Sequence, residues 1–228
     1  MTSYEQLSTF GMTLRSYPFR DTSKILKVYT REHGLISLLI KGLSSKNTQK
    51  TSLCSSFTLA EFNFKKGKND LHYFTESKIL DLHLSFRESL SRIQAGMKIC
   101  QTLLEMQEPE KKNELLFSLL VRFIKKMENT SYPRNYLHSF RLKALSLEGM
   151  INLSSCCTQC KNPAFYIDFG ECFCKKHTPC GAVSFSTEEL AALFSLNYTK
   201  SFMEIEQVKL TSELEDKIER LYQTMLKH

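Results

Sequence analysis

The hydrophobic period of this 228-residue chain changes once, near Asp81, and that change limits the possible fold more than any other feature. Ahead of it, apolar side chains alternate with polar ones through Met12–Leu14, Ile25–Val28 and Leu35–Leu39, the spacing that lines one face of a strand. Behind it, Phe86, Leu90, Ile93, Met97, Cys100 and Leu104 step by four and three, which places all of them on one side of a helix. The chain is therefore α+β, strands first and helices after.

In the front part the pattern predicts strands over residues 10–18, 24–30 and 34–41, with Gly34 supplying the turn after Arg31-Glu32-His33. Leu43 to Ser56 is polar and has no period, so it is read as a loop; strands follow over 57–64 and 71–80, joined by a lysine-rich turn at 65–70. Five short strands with polar connections suit an oligonucleotide/oligosaccharide-binding (OB) barrel, and a half-open β-sandwich fits nearly as well. In the back part, Leu116, Leu119, Leu120, Phe123, Ile124 and Met127 mark a second helix, and a third runs from Pro133 to Gly149. Ser186-x-x-Glu189 and Ser212-x-x-Glu215 each read as a capping box opening a helix. Two domains are expected, 1–80 and 81–228, the second with an insertion at about 154–181.

The net charge of +7 is concentrated in the strands: residues 1–80 hold 12 Lys/Arg against 6 Asp/Glu, and residues 81–228 hold 19 against 18. A localised positive surface suits a polyanion, nucleic acid above all, because binding releases condensed counterions. A solvated basic face without a ligand is the plain alternative. No apolar run approaches a membrane span and the first 30 residues lack the signal-peptide pattern, so a cytoplasmic, nucleoid-associated protein is expected.

Eight cysteines in a reducing compartment do not suggest a disulfide framework, and five of them crowd between Cys156 and Cys174. Cys157-x-x-Cys160, thirteen intervening residues, and Cys174-x-x-His177 present two short ligand pairs, each able to sit on a tight knuckle and offer two donors to one tetrahedral Zn²⁺. The fourth ligand stays open among His177, Cys172 and Cys180. With four protein donors there is no free position for water, so the ion is read as structural, fastening the loop from Ser154 to Gly181. Reduced buried thiols and a redox switch at Cys156-Cys157 are the other readings. The P-loop, GxGxxG, HExxH and GxSxG patterns do not occur, and Glu188-Glu189 and Glu215-Asp216 fall in first turns of helices, where the macrodipole accounts for them. Nothing in the sequence points to an enzyme.

Leu14-Arg15-Ser16, Asp21-x-Ser23-Lys24-Ile25, Tyr29-Thr30-Arg31-Glu32-His33-Gly34-Leu35-Ile36 and Lys41-Gly42 together resemble the start of the RecO family of bacterial recombination mediators. Phe140-Arg141-Leu142-Lys143-Ala144-Leu145-x-x-Glu148-Gly149 is similar to the family's helix ahead of its metal site, and the match touches about two-thirds of the chain. Where the family has a Cys pair at both ends of that site, this chain ends on His177. The resemblance implies an OB barrel and a helical domain. It also implies binding to single- and double-stranded DNA, annealing of complementary strands, work with RecR, and loading of RecA onto DNA coated by single-strand-binding protein, with RecF an indirect partner.

An OB barrel lays a strand along a basic groove and stacks bases on aromatic rings. The candidate phosphate contacts are Arg15, Arg20, Lys24, Lys41, Lys46, Lys50, Lys65, Lys66 and Lys68, with Tyr17, Phe19 and Tyr29 as stacking candidates. The acidic tail of single-strand-binding protein, which the family receives on its helical domain, would meet Arg122, Lys125, Lys126 and Arg141. A zinc-ribbon adaptor between proteins and an RNA-binding OB protein are the rival functions.

Overall fold

The computed structural model describes residues 5–44, 48–67 and 70–227. Five strands, β1 (Gln6–Arg20), β2 (Ser23–Thr30), β3 (Gly34–Ile40), β4 (Leu59–Lys65) and β5 (Leu71–Asp81), close into a barrel in the order β1-β2-β3-β5-β4. All their pairings are antiparallel except β3 with β5. Closure falls to β1, whose fifteen residues pair with β4 at one end and β2 at the other; register shifts at Thr13/Arg15 and Pro18/Arg20 give it the bend. Leu26, Val28, Ile36, Leu38, Ile40, Ala60, Phe62 and Phe64 fill the interior.

Two expectations fail here for stated reasons. β3 does not alternate: all seven residues are buried, because its outer face is covered as well as its inner one. The polar stretch 43–56 is not all loop. It holds a short helix, α1 (Thr48–Leu53), whose Leu53 enters the barrel core and whose Leu53 carbonyl accepts from the Thr13 hydroxyl at 2.9 Å.

A 3₁₀ turn (Leu84–Glu88) leads to α2 (Leu90–Met106) and α3 (Glu114–Met127). The connection between these helices is laced onto the barrel. The Tyr29 phenol donates to Gln107 Oε1 (3.2 Å), Pro109 bridges Leu35, and the Glu110 N–H donates to the Leu35 carbonyl (3.0 Å). Gly34 (φ +63°) lies so close to this connection that a Cβ would sit 2.1 Å from the Lys111 carbonyl oxygen. The chain forms two compact units, residues 1–130 and 131–228, so α2 and α3 belong with the barrel.

In the second unit α4 (Pro133–Leu147) is the hub, with α5 (Thr187–Tyr198), α6 (Phe202–Gln207) and α7 (Ser212–Met225) around it. Its polar residues close the ends of its neighbours: Asn135 Nδ2 donates to the carbonyls of Ile205 and Val208, and Lys143 Nζ to those of Asn197 and Thr199. Ser186 and Glu189 form the expected capping box of α5, whereas α7 is capped one residue earlier than expected, by Thr211. Between α4 and α5 a small sheet of β6 (Tyr166–Asp168), β7 (Glu171–Phe173) and β8 (Val183–Ser184) carries the cysteine loop.

Candidate nucleic-acid face and metal centre

Strand register draws a row along the barrel's outer side across four strands: Tyr17 is opposite Ile25, Ile25 opposite Leu39, and Leu39, only 6% exposed, opposite Tyr73. Three strand spacings make this row about 14 Å long. Tyr17 and Tyr73 stand at its ends, 39% and 40% exposed. Two residues along, Arg15, Lys27, Ser37 and Leu71 form a parallel row, with Lys27 Nζ donating to Ser37 Oγ at 2.8 Å.

Cations lie on the exposed rings. The Arg15 guanidinium is 5.2 Å from the Tyr17 ring centre, Arg20 is 5.4 Å from Phe19, and Lys41 Nζ is 5.9 Å from Tyr73. Lys24 pairs with Ile40 immediately ahead of Lys41, and Lys50 Nζ reaches the Lys41 carbonyl (3.4 Å), so these cations gather at one end of β1, β2 and β3. Lys65, opposite Tyr73, and Lys66 are exposed beside the β4–β5 turn. Lys46 and Lys68 lie outside the described residues. In OB folds generally, oligonucleotides run over strands 2 and 3 between the β1–β2 and β4–β5 loops, which is where these groups lie.

Tyr29 leaves the set of stacking candidates. It is wholly buried, with its ring 6.4 Å from Phe117, because the outer side of β2 beyond Lys27 is covered. Phe19 is exposed at 44% and keeps its place. Tyr73 and Lys27 were not singled out from the sequence; only the parallel β3–β5 pairing brings Tyr73 into the row of Tyr17.

The four cations expected to meet an acidic tail divide between the two units. Arg122, Lys125 and Lys126 are exposed on α3, where Lys125 Nζ already contacts Asp81 (2.9 Å) and Glu128 (3.1 Å). Arg141, on α4, is corrected: only 4% exposed, it is ion-paired with Glu219 and stacked 4.1 Å from the Tyr222 ring centre, so it offers no surface charge.

The cysteine loop brings its ligand pairs together. The donor atoms of Cys157, Cys160, Cys174 and His177 all lie within 4.8 Å of one another. Cys157 Sγ and Cys174 Sγ are each 3.6 Å from His177 Nδ1, and Cys160 Sγ is 3.6 Å from Cys174 Sγ. Tetrahedral bonds of about 2.3 Å to sulfur separate neighbouring ligands by roughly 3.7 Å, so the spacing fits an ion at the centre. Lys161, at φ +64°, turns the first knuckle back, and its N–H donates to the Cys157 carbonyl.

Burial works to raise the Cys157 pKa, but the N–H groups of Cys174 and Gln159 and the His177 ring outweigh it and draw the thiol down to about 5. Cys160, despite an N–H from Asn162, is pushed above the usual thiol value by burial and by the sulfurs of Cys174 and Cys157. Such a set holds thiolate charge in a small space, and it can hold a metal ion. Cys172 faces elsewhere, accepting from the Ser154 N–H at 3.3 Å, with burial raising its pKa; Cys156 and Cys180 are exposed. The geometry thus brings His177, rather than Cys172 or Cys180, to the three thiols.

Fold and site together define a class: an OB-like closed barrel with cation-capped aromatics on its outer face, followed by helices and a loop carrying a Cys₃His cluster. Residues 1–83 match the family model described as Recombination protein O N terminal, and residues 87–228 the model described as Recombination protein O C terminal. The chain belongs to the recombination protein O (RecO) family. It is 26% identical over 226 residues to the DNA repair protein RecO of Chlamydia trachomatis serovar D, covering 97% of this chain and 93% of that one. With the DNA repair protein RecO of Chlamydia pneumoniae it shares 27% over 203 residues (88% and 80%), and with that of Halalkalibacterium halodurans 25% over 159 residues (70% and 62%).

Proposed function

We propose that this chain is a recombination mediator in DNA repair that binds single- and double-stranded DNA, anneals complementary strands and, with RecR, helps load RecA onto DNA coated by single-strand-binding protein. The observation that carries the reading is the Tyr17–Ile25–Leu39–Tyr73 row with Arg15, Lys27 and Lys41 about it. Bases stack on the rings while phosphates meet the cations, which suits every base because each has a π-face. Annealing needs two strands neutralised and held close, and no covalent bond is broken. The protein then acts in the cytoplasm, at the nucleoid; among the described residues no helix is long and apolar enough to cross a membrane.

In this reading the Cys₃His set holds one structural Zn²⁺. Its four donors leave no open coordination position, and the ion would supply folding energy to the loop rather than chemistry. The exposed cations of α3, Arg122, Lys125 and Lys126, receive the acidic tail of single-strand-binding protein; RecA and RecF enter only through the assembled pathway. Charge reversal at Arg122 and Lys126 should weaken binding of a tail peptide, and unaltered binding would remove α3 from that role.

The deciding experiment is annealing of complementary oligonucleotides followed by fluorescence, with a matched RNA arm and a salt series. If five to seven phosphates are neutralised, single-strand affinity falls with salt at a log-log slope of about −3.5 to −5. Tyr17→Ala with Tyr73→Ala should suppress annealing, and wild-type annealing by that variant would overturn the assignment of the face. RNA bound as tightly as DNA, without annealing, would favour an RNA-binding role instead.

A further inference from the structure

A second cluster of ligand atoms lies in the barrel unit, apart from the cysteines. Asp81 ends β5, His83 follows it, and Glu128 closes α3; one donor atom from each lies within 4.8 Å of the others. The His83 side chain is 1% exposed. Its Nδ1 is 2.9 Å from the Phe57 carbonyl oxygen, which can only accept, so Nδ1 carries the proton and Nε2 of the neutral ring holds a lone pair.

That lone pair faces the wrong chemistry for a closed network. Asp81 Oδ2, also an acceptor, lies 3.8 Å from it, and among the described residues it makes no hydrogen bond. The other Asp81 oxygen is fixed by the His83 N–H at 2.9 Å, which turns Oδ2 toward the ring. Lys125 Nζ balances part of the charge, touching Asp81 and Glu128 at 2.9 and 3.1 Å, but its side chain is 59% exposed and has no hydrogen bond to the imidazole.

We infer that Asp81, His83 and Glu128 form a second cation site, for a divalent first-row metal such as Mn²⁺ or Zn²⁺, with Lys125 as the resident charge that the metal displaces. One imidazole and two carboxylates are a donor set such ions take, and a backbone carbonyl fixing the other ring nitrogen is the usual support of a metal-bound histidine. A divalent ion neutralises both carboxylates and gives the Nε2 lone pair its partner, while the protonated lysine swings out to water on its flexible stem. Bound there, the metal joins the end of β5 to the end of α3. Arg92 already steadies the same place through the Glu128 and Thr130 carbonyls.

The test is Mn²⁺ titration of the full chain, its Cys₃His centre first loaded with zinc, followed by electron paramagnetic resonance. Mn²⁺ prefers oxygen and nitrogen donors and does not compete for the thiolates. One further Mn²⁺ per chain is expected, with nitrogen modulation from the imidazole. Binding should be tighter in Lys125→Ala, by roughly fivefold if the lysine's contacts are screened as in bulk water and by more if they are screened less. It should vanish in Asp81→Asn and in Glu128→Gln. Lys125→Ala alters an exposed side chain and keeps the fold, so absence of saturable Mn²⁺ uptake by that variant would overturn the site. Uptake that ignores both carboxylate changes would do the same.

Discussion

In the barrel every strand has a neighbour on both sides, and Ile36, Leu38, Phe62 and Phe64 fill the space between them. The cysteine loop has strands of three, three and two residues and a thin apolar layer of Ile167, Phe173, Val183 and Phe185. The first region can be ordered by hydrophobic burial and closed hydrogen bonding alone. The second has far less apolar material, and under the proposed zinc reading its four converging donors would supply the difference. On that reading one chain would use two sources of order, and they should fail separately.

The largest effect expected from this contrast comes from removing the ligand set. If the set holds its proposed zinc, Cys157→Ser or treatment with a chelator should cost the second unit about 5 kcal/mol or more. Hydrogen exchange should show the amides of 152–184 losing protection while those of the barrel strands keep theirs; barrel amides opening together with the loop would erase the distinction. Phe62→Ala removes a fully buried ring from the barrel and should cost about 3–5 kcal/mol in a denaturant melt. It should leave metal stoichiometry unchanged.

Smaller effects sharpen the comparison. Tyr17→Ala and Tyr73→Ala remove exposed rings, so melting should hold steady while single-strand affinity falls by about 1–3 kcal/mol per base no longer stacked. A matching loss of stability would mean that the rings are packing residues. Ser186→Ala deletes the N-cap of α5 at a cost of about 1 kcal/mol, read as a shift in the unfolding of the second unit alone.

Most of the barrel was legible because β4 alternates throughout and β1, β2 and β5 alternate over part of their length. β3 broke the pattern by being buried on both faces, and α1 left no trace because Thr48–Leu53 has one apolar residue in six and no stripe. The short α6 was missed for another reason: Phe202, Met203 and Ile205 are apolar, but six residues are too few to show a helical period. The ligand pairs were legible because a knuckle fixes their spacing, and the third and fourth donors share one turn, Cys174 to His177. The outer face was only half legible. Charge and aromatic content can be counted, but which residues share a row depends on pairing between strands distant in sequence, and so Tyr73 was overlooked and Tyr29 misplaced. Asp81 and Glu128 meet only because α3 packs back beside the end of β5, which no local pattern records.

The lacing of the α2–α3 connection onto β3 decides where this molecule can be divided. A fragment ending at residue 83 would keep all five strands yet strip Tyr29 and Leu35 of their cover, leaving an oily strip open to self-association. One ending at residue 130 carries that cover along. The smallest separable piece is longer than its strands suggest.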